Sequence, residues 1–154
     1  VSLGALRFSL LKQDLQKMIV FSMKESLNLE GETGPYVQYA RARACRILEK
    51  SAEKPEINRE NAASLNSVQE FALVKAISKF DIVLEDTTKN LSPNAVARYC
   101  YDLANTFNIF YEKIPVLREE DVEVRRARLA LVAAFSKVAE RCLNLLGIES
   151  PDRI

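Results

Sequence analysis

Tyr36, Tyr39, Arg43, Arg46 and Lys50 follow one another at spacings of three and four residues, which sets two aromatic rings and three cations along one ridge of any helix that contains them. Such a ridge suits the stacking of unpaired nucleobases on phenol faces, with the neighbouring phosphates neutralised by guanidinium and ammonium groups. Taken alone, the row fits two plainer arrangements as well: a solvated cationic face, and rings buried between packed helices. A further ring, Tyr111, lies beside an apolar stripe, and that stripe by itself places it in a core.

Other chemistry is thinly supplied. The 154 residues include no histidine, which removes imidazole bases, Ser-His-Asp and Cys-His arrangements and nearly every catalytic zinc site. Neither common Gly-rich phosphate loop is present. Glu30, Glu32, Glu119 and Glu120 fall in a loop or at a helix start and read as solvated groups or dipole partners. Cys45, Cys100 and Cys142 stand far apart in apolar stretches, without zinc spacing or an even count, and read as plain buried thiols in a reducing compartment. The formal charge is +1, too small for a field over the whole molecule, so an RNA site has to be a local patch.

The elements that position these residues are helical. Only 4 Gly and 5 Pro occur, while Leu, Ala, Glu, Lys and Arg are plentiful, and the length suits one domain. The expected fold is an all-α bundle of about five to six helices. Leu3, Leu6, Leu10 and Leu11 mark a first helix over 3–12, and the β-branched run Ile19-Val20-Phe21 suggests a break before another turn through Ser26. A Gly-punctuated loop runs from Asn28 to Gly34. Thr33 or Gly34 can cap the next helix, Pro35 suits its first position, and Val37, Ala40, Ala44, Ile47 and Leu48 form its apolar face as far as Lys50.

The stretch from Ser51 to Leu65 is polar and aperiodic, which predicts a mobile surface connection. Ser67-x-x-Glu70 offers a capping box for a helix carrying Leu73, Ala76, Ile77, Phe80 and Leu84. Ser92 and Pro93 open another, with Val96, Cys100, Leu103, Ala104, Phe107, Phe110 and Tyr111 along one face, ending before Pro115. The last helix starts in Glu119, Glu120, Asp121 and Glu123, with Asp121 four residues before Arg125, and closes at Gly147. From Leu129 to Leu146 only Lys137, Glu140, Arg141 and Asn144 leave a polar strip, the pattern of a central helix. No apolar run approaches the ~20 residues of a membrane span and no signal-peptide pattern opens the chain. The expected location is therefore cytoplasmic, with no membrane partner. The start Val1-Ser2-Leu3-Gly4, without an initiator Met and directly in helical pattern, is what a fragment of a longer protein would show.

The string Leu27-Asn28-Leu29-Glu30-Gly31-Glu32-Thr33-Gly34-Pro35-Tyr36-Val37-Gln38-Tyr39-Ala40-Arg41-Ala42-Arg43 closely resembles a signature of arginyl-tRNA synthetases. Gly4-Ala5-Leu6-Arg7 resembles the family's entry into the same domain, and Tyr101-Asp102-Leu103-Ala104 with Phe107-Asn108 and Phe110-Tyr111 a later segment. Ala127-Arg128-Leu129-Ala130-Leu131 and the run from Leu145 to Ile154 extend the likeness over nearly the whole chain, weakest between Ser51 and Asn66. The resemblance implies that residues 1–154 form one anticodon-binding domain, the C-terminal DALR bundle. Such a bundle holds the anticodon loop of arginine tRNA while a catalytic domain of the same chain, using ATP and Mg, carries out arginylation. The family's two ATP-site motifs, one with paired histidines and one with paired lysines, are missing here. This portion is therefore expected to bind without catalysing and to hold no cofactor of its own.

Carried over residue by residue, the resemblance implies anticodon contacts at Tyr36, Ala40, Tyr111 and Ile154. Where many relatives end in Met this chain has Ile154, a side chain that can pack on a base with less flexibility. Tyr39, Arg43 and Arg46 join these from the ridge, and Arg153 from a segment able to fold over the same loop. Residues Asn28 to Gly34 resemble the family's compact loop near the anticodon. Two other readings use the same helices: a non-enzymatic DALR protein recruiting arginine tRNA for another enzyme, and a bundle for protein-protein contact.

Overall fold

In a computed structural model of the chain, which describes residues 1–14, 18 and 21–154, the backbone forms α1 (Ser2–Leu11), α2 (Met23–Ser26), α3 (Gly34–Lys50), α4 (Arg59–Ala62), α5 (Val68–Ser78), α6 (Phe80–Asn90), α7 (Asn94–Lys113) and α8 (Val122–Leu145). The fold is all-α, with no strand among the described residues. Several starts are chemically marked. The Thr33 hydroxyl accepts the Tyr36 N–H to open α3, with Pro35 at the second helical position instead of the first. Ser67 and Glu70 form the reciprocal capping box of α5, and the Asp121 carboxylate accepts the Glu123 and Val124 N–H groups at the head of α8. Each cap satisfies donors that the helix itself cannot. At the other end of α8, the Gly147 N–H reaches Asn144 O at 3.0 Å and the Ile148 N–H reaches Leu143 O at 2.8 Å. This Schellman turn needs the positive φ of 66° that Gly147 supplies, and it sends Ile148 back into the core.

Helix α8 lies at the centre, packed by α3, α4, α5 and α7. Its Leu129, Val132, Phe135, Ala139, Cys142 and Leu143 are buried, as its narrow polar strip implies. Phe135 lies parallel to Phe107 of α7 with ring centroids 3.9 Å apart. Burial of side chains of this size contributes roughly 1.5–3 kcal/mol each.

The structure departs from the sequence pattern in several places. The helix expected to run past Ile77 to Leu84 is two helices, hinged at Lys79. There the Lys79 N–H turns back to Ala76 O at 3.4 Å, and the Tyr99 hydroxyl on α7 donates to that same carbonyl at 2.9 Å. The connection 51–65, expected to be mobile, is tied down. Asn58 and Asn61 cap the one-turn α4, Asn61 is buried and donates to Glu56 O at 3.2 Å, and Glu53 receives the Arg125 Nε at 2.8 Å. Arg125 therefore pairs with Glu53 and not with Asp121. The Ser92 hydroxyl bonds to the Asn94 side chain and caps no backbone group of α7. Cys100 and Cys142 are buried thiols, but Cys45 is only half-buried. The break expected around Ile19 and Val20 falls largely on residues outside those described, between the end of α1 and α2.

Glu70 joins three parts of the bundle. Wholly buried, its carboxylate accepts the Ser67 N–H at 2.8 Å and the Arg128 Nε at 2.7 Å, and Arg128 also donates to Pro115 O at 2.9 Å in the α7–α8 connection. Burial pushes this carboxyl up, but the Ser67 N–H and the Arg128 guanidinium outweigh it and hold the group below its ordinary value of 4.5. With the folded value below the unfolded one, the stabilisation is complete above the ordinary carboxylate range and is lost as pH falls through the folded value. Glu70→Gln should cost roughly 1.5–3 kcal/mol at neutral pH, the worth of a hydrogen bond to a charged group, because Arg128 loses the wholly buried one of its two carboxylate partners and keeps only Glu119, and should flatten the acid limb of stability against pH measured by urea unfolding. An acid limb of unchanged steepness would mean that other carboxylates cause it.

Candidate nucleic-acid interface

Three and four residue spacings on α3 give it an inner and an outer face. Val37, Ala40, Ala44 and Ile47 turn inward, while Tyr39, Arg43, Arg46 and Lys50 turn out. The C-terminal half of α7 runs alongside and brings Tyr111 opposite Arg43. The Arg43 guanidinium carbon lies 4.8 Å from the Tyr39 ring centroid and 4.6 Å from that of Tyr111, close enough for cation–π attraction to both. Its Nη1 donates to Asn108 Oδ1 at 2.7 Å, so the head group is fixed by α7. Tyr111 lies near-parallel to Phe107, 6.5 Å between centroids, and Phe107 rests on Phe135. The apolar stripe thus draws Tyr111 to the edge of the core without enclosing it. Tyr111 keeps 42% of its surface exposed and Tyr39 41%.

These side chains line a groove of about 1130 Å³. Of the residues expected at a site, Tyr39, Arg43, Arg46, Tyr111, Arg153 and Ile154 all line it. Arg43, Arg46, Lys50, Lys113, Arg118 and Arg153 bring six cations to its walls against the three acids Glu49, Glu112 and Asp152. This is a local positive excess on a chain whose total is +1, the condition for a phosphate-binding patch on a near-neutral molecule. Lys113 and Arg118 were not singled out from sequence. The available signal was their place on either side of Pro115, in the turn directly after Tyr111.

Tyr36 and Ala40 are not at the groove. Tyr36, one turn before Tyr39, packs its ring 5.4 Å from that of Tyr101 and donates its hydroxyl to Asn105 Oδ1 at 3.2 Å. Its surroundings are acidic: burial and the nearby Glu32 push the Asp102 carboxyl up, and burial with the Tyr36 phenol and Glu32 raises Tyr101. Ala40 has no exposed surface. Its assignment as a contact is corrected, because Ala40 falls on the same buried stripe as Val37 and Ala44 and offers a base nothing to touch. The loop before α3 is compact, with the Thr33 hydroxyl donating to Asn28 O at 2.6 Å and Asn28 Oδ1 accepting the Glu30 N–H at 3.1 Å. Its residues do not line the groove.

Sequence reasoning also missed Gln38 and Arg41, both buried. Gln38 Nε2 donates to Glu149 O at 2.7 Å and Arg41 Nη1 to Ser150 O at 2.6 Å, so α3 holds the segment that carries Arg153 and Ile154. Arg153 meets Glu49 at 3.1 Å, and Ile154 is exposed.

The helical architecture is that of the anticodon-binding bundle of a tRNA synthetase. The profile of the DALR anticodon binding domain matches residues 37–154, and the chain belongs to that family. Over its full length it is 45% identical to the arginine–tRNA ligase of Methanopyrus kandleri, covering 26% of that relative. It is 39% identical to the arginine–tRNA ligase of Methanosarcina mazei over 99% of this chain and 27% of the relative. The solved arginyl-tRNA synthetase of Thermus thermophilus superposes on 99% of this chain and 26% of its own, with a TM-score of 0.91 at 35% identity. That of Plasmodium falciparum covers 98% and 26%, with a TM-score of 0.86 at 32% identity. The chain therefore spans about a quarter of the length of these relatives.

The corrected place of Ala40 has a direct check. Ala40→Leu should overpack the contact between α3 and the core and destabilise the chain by roughly 1–3 kcal/mol, seen as a lower midpoint in thermal melting. A variant that melts like the parent would put position 40 at the surface.

Proposed function

We propose that this chain is the anticodon-reading portion of an arginine–tRNA ligase, in which unpaired nucleotides of the anticodon loop of an arginine tRNA lie on Tyr39 and Tyr111. Arg43, Arg46 and the neighbouring cations meet the phosphates. The observation that carries this reading is the pair of half-open phenol rings joined through Arg43 in a groove with excess positive charge. Its occurrence in a chain resembling arginine–tRNA ligases from end to end supports it further. On this reading arginylation, with ATP and Mg, belongs to a catalytic domain of the same polypeptide, and this quarter binds without catalysing. A cytoplasmic setting goes with that role. Among the described residues no helix is long and apolar enough to cross a membrane.

The chain should bind an arginine tRNA with an affinity that falls steeply as salt is raised, and should bind the same tRNA less tightly once its anticodon is replaced. Equal affinity for the two would end the claim of anticodon reading. Tyr111→Ala should cost roughly 1–3 kcal/mol of binding, the worth of one stacked base, while cooperative melting persists. Loss of the cooperative transition would return Tyr111 to the core.

A further inference from the structure

Helix α3 has a third face that neither the core nor the groove uses. Gln38, Arg41 and Cys45 follow one another at spacings of three and four along it. Gln38 is 1% and Arg41 5% exposed, which is unusual for groups this polar and requires partners. The ionic partners of Arg41 lie on α8 and on the segment after it: Glu140 Oε1 at 3.3 Å and Asp152 Oδ1 at 2.9 Å, beside the Ser150 carbonyl already described. Cys45 Sγ stands 3.7 Å from the same Asp152 oxygen. Residues 149, 150 and 152 are thus each held by this one face of α3, and Pro151 between them restricts the backbone. Immediately beyond the held stretch come Arg153 and Ile154 at the edge of the groove.

Magnitudes show which contact seats the segment. Arg153 is exposed and its pairing with Glu49 is a surface ion pair, of the kind that contributes little. Arg41 is shielded from water, carries two carboxylates and a carbonyl on one guanidinium, and its charge-assisted bonds are the stronger ones. We infer that Arg41, assisted by Gln38, is a positioning residue: it latches the segment 149–152 onto α3 so that Arg153 and Ile154 form one wall of the groove. The wall then depends on Arg41, which is not itself among the residues lining the groove, while its partner Asp152 stands on the groove wall, where loss of its negative charge would by itself favour a phosphate. The effect on RNA rests on the reading of the groove given above, but the seating of the segment does not.

Arg41 is buried and its replacement endangers the fold, so the test acts on Asp152, whose side chain is largely exposed. The chain has no Trp, and Ile154→Trp places a single reporter at the groove edge. In that background Asp152→Asn should lower the fluorescence anisotropy and shift the emission to the red, with the melting curve kept. Asp152→Glu, which restores a carboxylate, should recover part of both signals. With Ile154 in place, Asp152→Asn should weaken binding of an arginine tRNA by roughly tenfold, as expected for one charge-assisted bond, and should add no further loss once Arg153→Ala and Ile154→Ala are present. Unchanged anisotropy in Asp152→Asn would overturn the latch, as would an undiminished loss of binding in the double-alanine background. If the anisotropy falls as expected but the chain binds no tRNA, the latch stands and the RNA reading fails.

Discussion

Around one circumference the 17 residues of α3 meet the core, the groove and the segment after α8, and everything else in the site follows from that division. Side chains advance by about 100° per residue on a helix, so the faces cannot be adjusted independently. Ala40 and Ala44 are small and wholly buried, which lets α3 approach α8 and α7 closely. That approach brings Arg43 within reach of Tyr111 and Asn108 on one side and Arg41 within reach of Glu140 on the other. A larger residue at either alanine would move both cations away from their partners.

Charge is partitioned on the same plan. Arg125 and Arg128 are taken up by the buried or half-buried acids Glu53, Glu70 and Glu119. The Glu53 carboxyl is held below its ordinary range by the hydrogen bond from Arg125, against the opposing effect of burial. With these acids matched inside the bundle, the groove is left with more cations than acids, although the chain as a whole is close to neutral. Net charge therefore says little about such a protein, and the placement of each arginine says much more: Arg41 is locked in ion pairs, Arg43 lies against rings, and Arg46 stands in water.

What could be read in the sequence was local. The cap at Thr33, the capping box of Ser67 and Glu70, the glycine that closes α8 and the inward stripes of α3, α7 and α8 follow from periodicity and from the needs of helix ends, and they are found as expected. The outer row Tyr39, Arg43 and Arg46 was legible for the same reason. The meeting of Tyr111 with Arg43 was not, because it joins two helices far apart in sequence, and the apolar stripe pointed the wrong way; only the family resemblance marked that residue. Gln38 and Arg41 were invisible because a polar residue beside an apolar stripe reads as solvated until another segment covers it. The hinge at Lys79 depends in the same way on a hydroxyl donated from α7, and the pinning of 51–65 on side chains of α8.

The two rings of the groove are not equivalent supports. Tyr111 is the outer end of a stack that runs through Phe107 to Phe135, so its orientation is set by the packed interior, and a base landing on it meets a surface that has little freedom left to lose. Tyr39 has no ring behind it among those stacks and is steadied by Arg43, which is itself held by Asn108. A ligand that drew Arg43 toward a phosphate would loosen Tyr39 and leave Tyr111 in place. On the proposed reading of the groove, Tyr111 would be the preorganised anchor, and Tyr39 the adaptable contact that adjusts through Arg43 once a first nucleotide is seated.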